Sequence, residues 1–256
     1  MSDSPLQSWR ERDGKLLRLR LARPKANIID AAMIAALDAA LAAATADADL
    51  GGVLLDHEGP HFSFGASVEE HLPASCAVML RGLHALVGRM VDFPVPILVA
   101  ARGQCLGGGL EVAAAGHLLF VAPDASLGQP EIRIGVFAPA ASCLLPERIG
   151  RVHAEDLLFS GRAIDGAEAA RIGLANAAVA DPEAAALDYF DRHLAPHSAS
   201  SLRFAVSAAH GAAATRIKDR LAEVETLYLD GLMATHDATE GLRAFIEKRP
   251  TNWENR

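Results

Sequence analysis

The segment from Val95 to Glu111 limits the possible folds more than any other part of this 256-residue chain. It begins with a continuous apolar run, passes through Arg102-Gly103 and reaches three successive glycines, Gly107 to Gly109, before a second apolar stretch. The first run predicts a buried strand, and the second predicts a helix that begins within the glycines. A strand that leads through glycines into a helix is typical of α/β proteins with parallel strands.

The remainder of the first two-thirds of the chain shows the same alternation. Apolar residues at helical spacing predict helices over 31–48, behind a possible N-cap at Asp30, and over 75–92. Short apolar runs predict further strands over 52–55 and 118–122, beside the strand at 95–101. Strands separated by helices predict crossover connections and a largely parallel sheet.

Beyond about residue 150 the pattern is almost entirely helical. The only predicted strand there covers residues 177–179. Helices are predicted over 165–172, 182–194, 199–210, 217–233 and 238–247. We therefore divide the chain into an α/β core, residues 1–195, and a helical C-terminal region, residues 196–256.

Charge and composition exclude several classes of protein. No apolar run reaches the ~18 residues of a membrane span, and the N-terminal residues lack a secretory signal pattern. The three cysteines form no Cys-x-x-Cys pair, so we expect a reducing, cytoplasmic compartment. The net charge of −8 and the scattered basic residues argue against nucleic acid as a partner. His57 and His61 lack the pattern of a metal site, so we expect no metal.

The glycines before the predicted helix form a candidate anion site. Backbone N–H groups at a helix N-terminus are unhindered there, and the helix dipole favours negative charge, such as an anion or a developing oxyanion. A dinucleotide motif is excluded because the third glycine of G-x-G-x-x-G is absent, and a phosphate loop is excluded because no lysine lies nearby. The alternative is that Gly107 to Gly109 only let the helix pack closely on the sheet.

Two glutamates and one loop complete the candidate site. Glu111 lies in the first turn of the predicted helix, and Glu131 lies between apolar neighbours further along the chain. Two carboxylates near an anion site can hold a water molecule and transfer its protons, although each glutamate alone is more often structural. The small-residue loop His61 to Ser67 follows a predicted strand and could supply another backbone N–H group.

Six collinear segments resemble the crotonase (enoyl-CoA hydratase/isomerase) superfamily. They are Arg23 to Asn27, Phe62 to Ser67, Gly103 to Glu111, Gly128 to Gly135, Ser160 to Asp165 and Ala244 to Arg249. The resemblance implies a core of ββα crossovers with a helical C-terminal trimerisation region. It also implies a homo-oligomer, either a trimer or a dimer of trimers, that acts on an acyl-CoA thioester without a metal or redox cofactor.

The resemblance also implies roles for individual residues. Ala66 and Gly108 correspond to the two backbone donors that bind the thioester oxygen, and Glu111 and Glu131 correspond to the two acids that act on the attacking water. Phe245 and Lys248 lie where a neighbouring subunit often reaches the CoA phosphates, although Lys248 could equally be a solvated lysine. The positions that resemble the substrate-binding surface are Lys25, Ala26, Phe64, Gly65, Ser67, Val68, Phe137, Phe245 and Lys248.

Two segments depart from the common pattern of the superfamily, at Phe64 to Ser67 and at Ala140 to Pro146. Residues 62–71 and 137–142 are similar to the cyclohexa-1,5-diene-1-carbonyl-CoA hydratases of anaerobic aromatic degradation. That similarity implies hydration to 6-hydroxycyclohex-1-ene-1-carbonyl-CoA. We expect the segments that carry Phe64 and Phe137 to face each other across the acyl group; the alternative is that both phenylalanines are ordinary core residues. The alternatives are a general enoyl-CoA hydratase or isomerase of fatty-acid oxidation, a CoA hydrolase, and a non-catalytic scaffold that binds RNA or protein.

Overall fold

A largely parallel sheet forms the centre of the computed structural model, which describes residues 4–256. Within those residues, six strands follow the order β1-β2-β3-β4-β6-β9, and β1–β2 is the antiparallel pair. The strands are β1 (Leu6–Glu11), β2 (Leu16–Leu21), β3 (Gly52–His57), β4 (Ile97–Ala101), β6 (Leu118–Val121) and β9 (Ala177–Ala178). The predicted parallel sheet is confirmed, since the strands at 52–55, 95–101, 118–122 and 177–179 all belong to it.

A second, smaller sheet lies where the chain leaves β4. It contains β5 (Gln104–Leu106), β7 (Ser126–Gly128) and β8 (Ala163–Asp165), in the order β5-β7-β8. Gly103 makes the change of sheet with a φ of +61°, and a Cβ atom there would collide with the Pro60 carbonyl oxygen. A residue with a side chain could not make this turn without moving the neighbouring loop.

Helices cover both faces of the main sheet. They are α1 (Ala31–Ala44), α2 (Cys76–Val91), α3 (Gly108–Ala115), α4 (Pro139–Ser160), α5 (Gly166–Arg171), α6 (Pro182–His193), α7 (Ala199–Thr226) and α8 (His236–Glu247). On one face, α1, α2 and α3 contribute to the large apolar core. On the other face, Phe190 of α6 packs with Leu54 and Leu98 of the sheet. Asp30 accepts a hydrogen bond from the Met33 N–H group, which confirms the predicted N-cap of α1.

The separate helices predicted over 199–210 and 217–233 are wrong. The structure has one continuous helix, α7, followed by a π-helical turn (Leu227–Gly231) and a 3₁₀ turn (Leu232–Ala234). The alanines after Gly211 favour helix strongly enough to carry the chain past that glycine. The helix is held on one side by apolar residues of the main core, which are Ala214, Ile217, Leu221 and Val224.

Most of helix α4 precedes the region, beyond about residue 150, in which C-terminal helices were predicted. It begins at Pro139, and its helical geometry is interrupted at Gly150, where φ is +70°. The C-terminal helix α7 begins close to the predicted boundary at residue 196, but its buried side chains belong to the same apolar core as the sheet.

Among the described residues, no helix is both long and apolar enough to cross a lipid bilayer.

Candidate active site

A cavity of about 360 Å³ lies beside the N-terminus of α3. Its walls come from the loop after β3, the glycine turn before α3, a 3₁₀ turn (Pro130–Ile134) and α8. The lining residues are Phe64, Gly65, Ala66, Val68, His71, Gly107, Pro130, Glu131, Arg133, Ile134, Val136 and Phe245. The structure therefore brings together six of the predicted site residues: Phe64, Gly65, Ala66, Val68, Glu131 and Phe245.

The two predicted backbone donors, Ala66 and Gly108, are neighbours at the edge of this cavity. A Cβ atom added at Gly108 would lie only 3.1 Å from the Ala66 nitrogen. Gly107 precedes the helix with a φ of +49°, and its N–H group donates to the Gly128 carbonyl oxygen at 2.9 Å. Because Gly108 is the first residue of α3, its N–H group has no carbonyl partner within the helix. Two backbone donors and a helix N-terminus thus lie at one point.

The loop that carries Ala66 is fixed by backbone hydrogen bonds. The Phe64 N–H group donates to the Ala26 carbonyl oxygen, and the Ile29 N–H group donates to the Gly65 carbonyl oxygen, both at 2.9 Å. The Ser63 hydroxyl accepts a hydrogen bond from the Gly65 N–H group at 3.0 Å. These bonds hold the Ala66 N–H group in place before any ligand is bound, which is the requirement for an oxyanion-binding site.

Glu111 is a fully enclosed carboxylate in the first turn of α3. It is only 3% exposed, and its Oε1 atom accepts a hydrogen bond from the Ala141 N–H group at 2.8 Å. Burial raises the pKa of Glu111 well above the usual range of a carboxyl group, although backbone N–H groups of Ala141 and Ala140 oppose the shift. The apolar segment around Glu111 is therefore what favours its protonated form.

Glu131 lies on the 3₁₀ turn and lines the cavity. Its Oε1 atom would be 2.6 Å from a Cβ atom at Gly107, so the carboxyl group packs directly against the glycine turn. The side-chain amide of buried Gln129 can turn its nitrogen toward Glu131. That nitrogen then lies 3.1 Å from both carboxyl oxygens of Glu131. Burial, and then the negative charge of Glu111, raise the pKa of Glu131.

The two carboxyl groups titrate as a pair. Burial raises the pKa of each carboxyl group, and the negative charge on Glu111 makes ionisation of Glu131 more costly. One proton is therefore retained near neutral pH, so one group can accept a proton while the other donates one. This is the arrangement required to take a proton from a water molecule and return one to carbon.

Seven predicted site residues lie outside the cavity lining: Gly108 and Glu111, described above, and five more. Lys25 and Lys248 are exposed, and Lys248 ends α8 in the left-handed conformation. Ala26 supports the Phe64 loop through its carbonyl oxygen, and the hydroxyl of Ser67 donates to Glu69 at 3.2 Å. The expectation that Phe137 faces Phe64 across the acyl group is corrected. Its ring packs edge-on against Tyr228, at 5.2 Å between centroids, behind the wall formed by Val136.

Several residues of the cavity wall were not predicted from the sequence. Ile134 lies inside the segment Gly128 to Gly135 and Val136 follows it, and their apolar character near Glu131 was the available signal. His71 was not distinguishable in the sequence. Its ring Nδ1 bonds the Ser67 carbonyl oxygen at 2.7 Å, so Nδ1 carries the proton, and burial lowers its pKa.

Phe245 lines the cavity of its own chain, where it is 56% exposed. The sequence analysis had placed this residue where a neighbouring subunit reaches the CoA phosphates. Arg133 is an exposed cation at the same wall, and the sequence analysis did not select it. Within residues 4–256, no group of three or more His, Cys, Asp or Glu side chains has the arrangement of metal ligands. The expected absence of a cofactor stays a prediction.

Known proteins resemble this chain over its whole length. Residues 11–256 match the model of the enoyl-CoA hydratase/isomerase family. The chain is 69% identical over 255 residues to a cyclohexa-1,5-dienecarbonyl-CoA hydratase of Thauera aromatica, covering 100% of this chain and 99% of the relative. A probable enoyl-CoA hydratase of Mycobacterium bovis is 31% identical over 250 residues, covering 96% and 97%.

Solved structures show the same fold. The crystal structure of an enoyl-CoA hydratase from Mycobacterium avium subsp. paratuberculosis superposes with a TM-score of 0.85. The match covers 98% of this chain and 99% of that chain at 23% sequence identity. The similarity extends through the C-terminal helices, so the helical region is part of the shared fold.

Proposed function

The chain belongs to the enoyl-CoA hydratase/isomerase family, and from that premise we propose that it hydrates cyclohexa-1,5-diene-1-carbonyl-CoA to 6-hydroxycyclohex-1-ene-1-carbonyl-CoA. The enzyme is a hydro-lyase, and the family predicted from the six collinear segments is confirmed. The observation that carries the specific substrate is the full-length identity of 69% to a hydratase of that compound. Buried Glu111 and half-buried Glu131, close to the glycine turn, support hydration as the chemistry.

The thioester oxygen binds between the Ala66 and Gly108 N–H groups. Negative charge accumulates on this oxygen as water adds to the conjugated double bond, and both donors face it before reaction begins. Removal of one such donor typically costs about 3 to 4 kcal/mol of transition-state stabilisation. The N-terminus of α3 adds a favourable potential at the same point. The oxyanion site is therefore the largest single contribution to rate.

Glu111 and Glu131 hold the attacking water and move its protons. The ionised member of the pair accepts a proton from water while the oxygen bonds to a ring carbon. The protonated member delivers a proton to another ring carbon, so the thioester bond stays intact and the pair ends the cycle with one proton. Raised pKa values suit this exchange, because general acid–base catalysis is most efficient when the pKa lies near the working pH.

The cavity wall is suited to a compact apolar acyl group. Val68, Ile134 and Val136 offer aliphatic surface, and the Phe64 ring lies at the entrance with 46% of its surface exposed. A rigid ring has fewer torsions to lose on binding than a straight acyl chain, so a closed wall orders it at lower entropic cost. Arg133, on the cavity wall, is an exposed cation for the CoA phosphates, in addition to the earlier candidate Lys248, while Lys25 stays a candidate for the substrate-binding surface.

We propose a homo-oligomer built on trimers, supported by large apolar side chains that are exposed on α4 and α7, namely Val152, Phe159 and Phe204. No cofactor is assigned beyond the coenzyme A of the substrate. A cytoplasmic location and the lack of a nucleic-acid partner remain predictions, and a filter-binding assay with RNA tests the second.

A general enoyl-CoA hydratase is the second candidate function. It is favoured by the 31% identity to probable enoyl-CoA hydratases, whose names specify no ring. Comparison of kcat/KM for the cyclic dienoyl-CoA and for crotonyl-CoA separates the two, with identification of the product to exclude isomerisation and thioester hydrolysis. We expect the cyclic substrate to be preferred at least about tenfold, or about 1.4 kcal/mol. A tenfold preference for crotonyl-CoA would overturn the cyclic assignment.

A further inference from the structure

A second cavity lies at the opposite end of α3 from the glycine turn. Its volume is about 370 Å³, and it is enclosed by the C-terminal end of α3, by α4 and by α7. Three basic side chains contribute to its wall: His117, Arg148 and His210. These residues belong to none of the motifs that define the acyl-CoA site.

Arg148 is a half-buried cation without a carboxylate partner within residues 4–256. Its guanidinium donates to the carbonyl oxygens of Ala114, Gly116 and Leu174, and it thereby closes the C-terminal end of α3. Its Nε–H group and one Nη2 hydrogen find no acceptor within residues 4–256, and no carboxylate there lies within ion-pair distance. Burial lowers its pKa to about 10, which still leaves it charged at neutral pH. A half-buried cation is stabilised further when an anion accompanies it.

The two histidines add further donors to the same space. His117 Nδ1 accepts a hydrogen bond from the Ile97 N–H group at 3.0 Å, so the neutral ring carries its proton on Nε2. That Nε2 atom is buried and has no hydrogen-bond partner in the described part of the chain. The His210 ring lies 5.0 Å from the His117 ring, and its Nε2 atom is likewise buried and unpartnered. Burial lowers the pKa of both rings; His210 and then Arg148 lower that of His117 further, and Arg148 lowers that of His210 while Asp92 and Glu147 oppose the shift.

The acid on the cavity wall is already engaged. Glu147 lines the cavity, but its two carboxyl oxygens accept hydrogen bonds from Arg216 at 2.9 and 2.7 Å. Among residues 4–256, the cavity lining therefore combines a cation, the His117 Nε2–H group and the His210 ring, and its one acid is already paired. Such a lining favours a ligand with negative charge.

We propose that this cavity binds a small oxyanion, a carboxylate or phosphate group, between Arg148, His117 and His210. The planar guanidinium offers two parallel donors to such a group, and the imidazole Nε2–H of His117 adds a third. The site is separate from the acyl-CoA pocket and touches the opposite end of the helix that begins at the oxyanion site. Its existence does not depend on the substrate assigned above.

The test is a calorimetric titration of the full chain in chloride buffer. Coenzyme A is present at saturation, so that phosphate cannot report on the CoA-binding surface. One arm uses inorganic phosphate and the other uses acetate, and the arm with the lower Kd identifies the oxyanion class. We expect saturable binding of one anion per chain. The absence of saturable binding in both arms would overturn the proposal and leave the cavity as a site for water only.

Variants locate the binding site. His117→Asn keeps an acceptor for the Ile97 N–H group while it removes the Nε2 donor, and His210→Leu removes the second ring. Each is expected to weaken anion binding about tenfold, as for loss of one hydrogen bond to a charged group. His197→Asn, on an exposed histidine, is the matched control and should bind as wild type. Unchanged affinity in both cavity variants would show that an adventitious ion binds elsewhere.

Arg148 is tested last, because its side chain also supports the fold. Arg148→Gln removes the charge and strips hydrogen bonds from three backbone carbonyls, so its folding is checked by circular dichroism. If it folds, we expect no saturable binding of either anion. Retained binding in a folded Arg148→Gln protein would contradict the assignment of the guanidinium as the anion's partner. The exposed Arg151→Gln serves as the charge-matched control.

Discussion

At the scale of single residues, the proposed mechanism assigns proton transfer to the two glutamates. Glu111→Gln and Glu131→Gln keep the shape of each side chain but remove its ability to exchange a proton. We expect each to lower kcat for hydration at least about 100-fold, the usual scale for a lost general acid or base, with little change in CoA-ester binding. Turnover near the wild-type rate in either variant would exclude a two-acid mechanism. Binding of the product, measured by calorimetry, is the control for correct folding.

The same pair predicts how folding stability depends on pH. Because both pKa values are raised in the folded state, the folded protein holds more protons than the unfolded chain above about pH 4.3. The stabilisation from this difference is present at low pH and is lost as pH rises through the raised values. Denaturant titrations between pH 7 and 9 should therefore show wild type losing stability with rising pH.

Glu131→Gln provides the control for this pH effect. The amide cannot ionise, so we expect the variant to lose less stability than wild type over the same interval. The chosen range lies above the pKa of an unfolded histidine, about 6.5, so the histidines with lowered pKa add little. Parallel pH profiles for the two proteins would mean that Glu131 ionises as easily in the folded chain as in the unfolded one.

At the scale of elements, α7 allows a test of why the chain forms one continuous helix where two were predicted. Gly211 lies inside α7, and a Cβ atom at this position would meet no other atom within 4 Å. Gly211→Ala should raise the free energy of unfolding by about 0.5 to 1 kcal/mol, since alanine costs less backbone entropy in a helix. Urea denaturation measures the change. A decrease in stability would indicate that the glycine serves packing with a second molecule.

The glycine turn, Glu111 and Glu131 were predictable because their chemistry lies in short contiguous segments. Strand β2 was missed although Leu17, Leu19 and Leu21 alternate with Arg18 and Arg20, a period-two pattern with charged residues on the second face. Strands of three residues, such as β5, are too short to show any period.

The site was only partly predictable, for a related reason. Phe137 and Val136 are adjacent in sequence, yet Val136 lines the cavity and Phe137 packs behind it. Which of two neighbouring apolar residues faces a ligand depends on the path of an irregular segment, and no periodicity reports that path. Arg148, His117 and His210 come from separate elements, so their convergence is visible only in three dimensions.

At the scale of the whole molecule, the exposed apolar surface predicts self-association. Phe204 on α7 is 75% exposed, and Phe159 on α4 is 72% exposed. Light scattering should return a mass of three times 26.9 kDa, or a multiple of that trimer. Phe204→Ser should weaken the assembly because burial of a large aromatic ring contributes to association. A stable mass of 26.9 kDa for the wild type would contradict the trimer.

The 3₁₀ turn that carries Glu131 also carries Ile134, and Val136 follows after Gly135, so one short segment provides both a proposed acid and part of the proposed acyl wall. Gly135 fixes this segment, since a Cβ atom there would lie 2.7 Å from the Asp237 carbonyl oxygen. A mutation that reshapes this wall for a new acyl group therefore also displaces the acid. Evolution of substrate preference within this lineage should proceed first through the facing residues Phe64 and Val68, whose replacement leaves the proton-transfer geometry untouched.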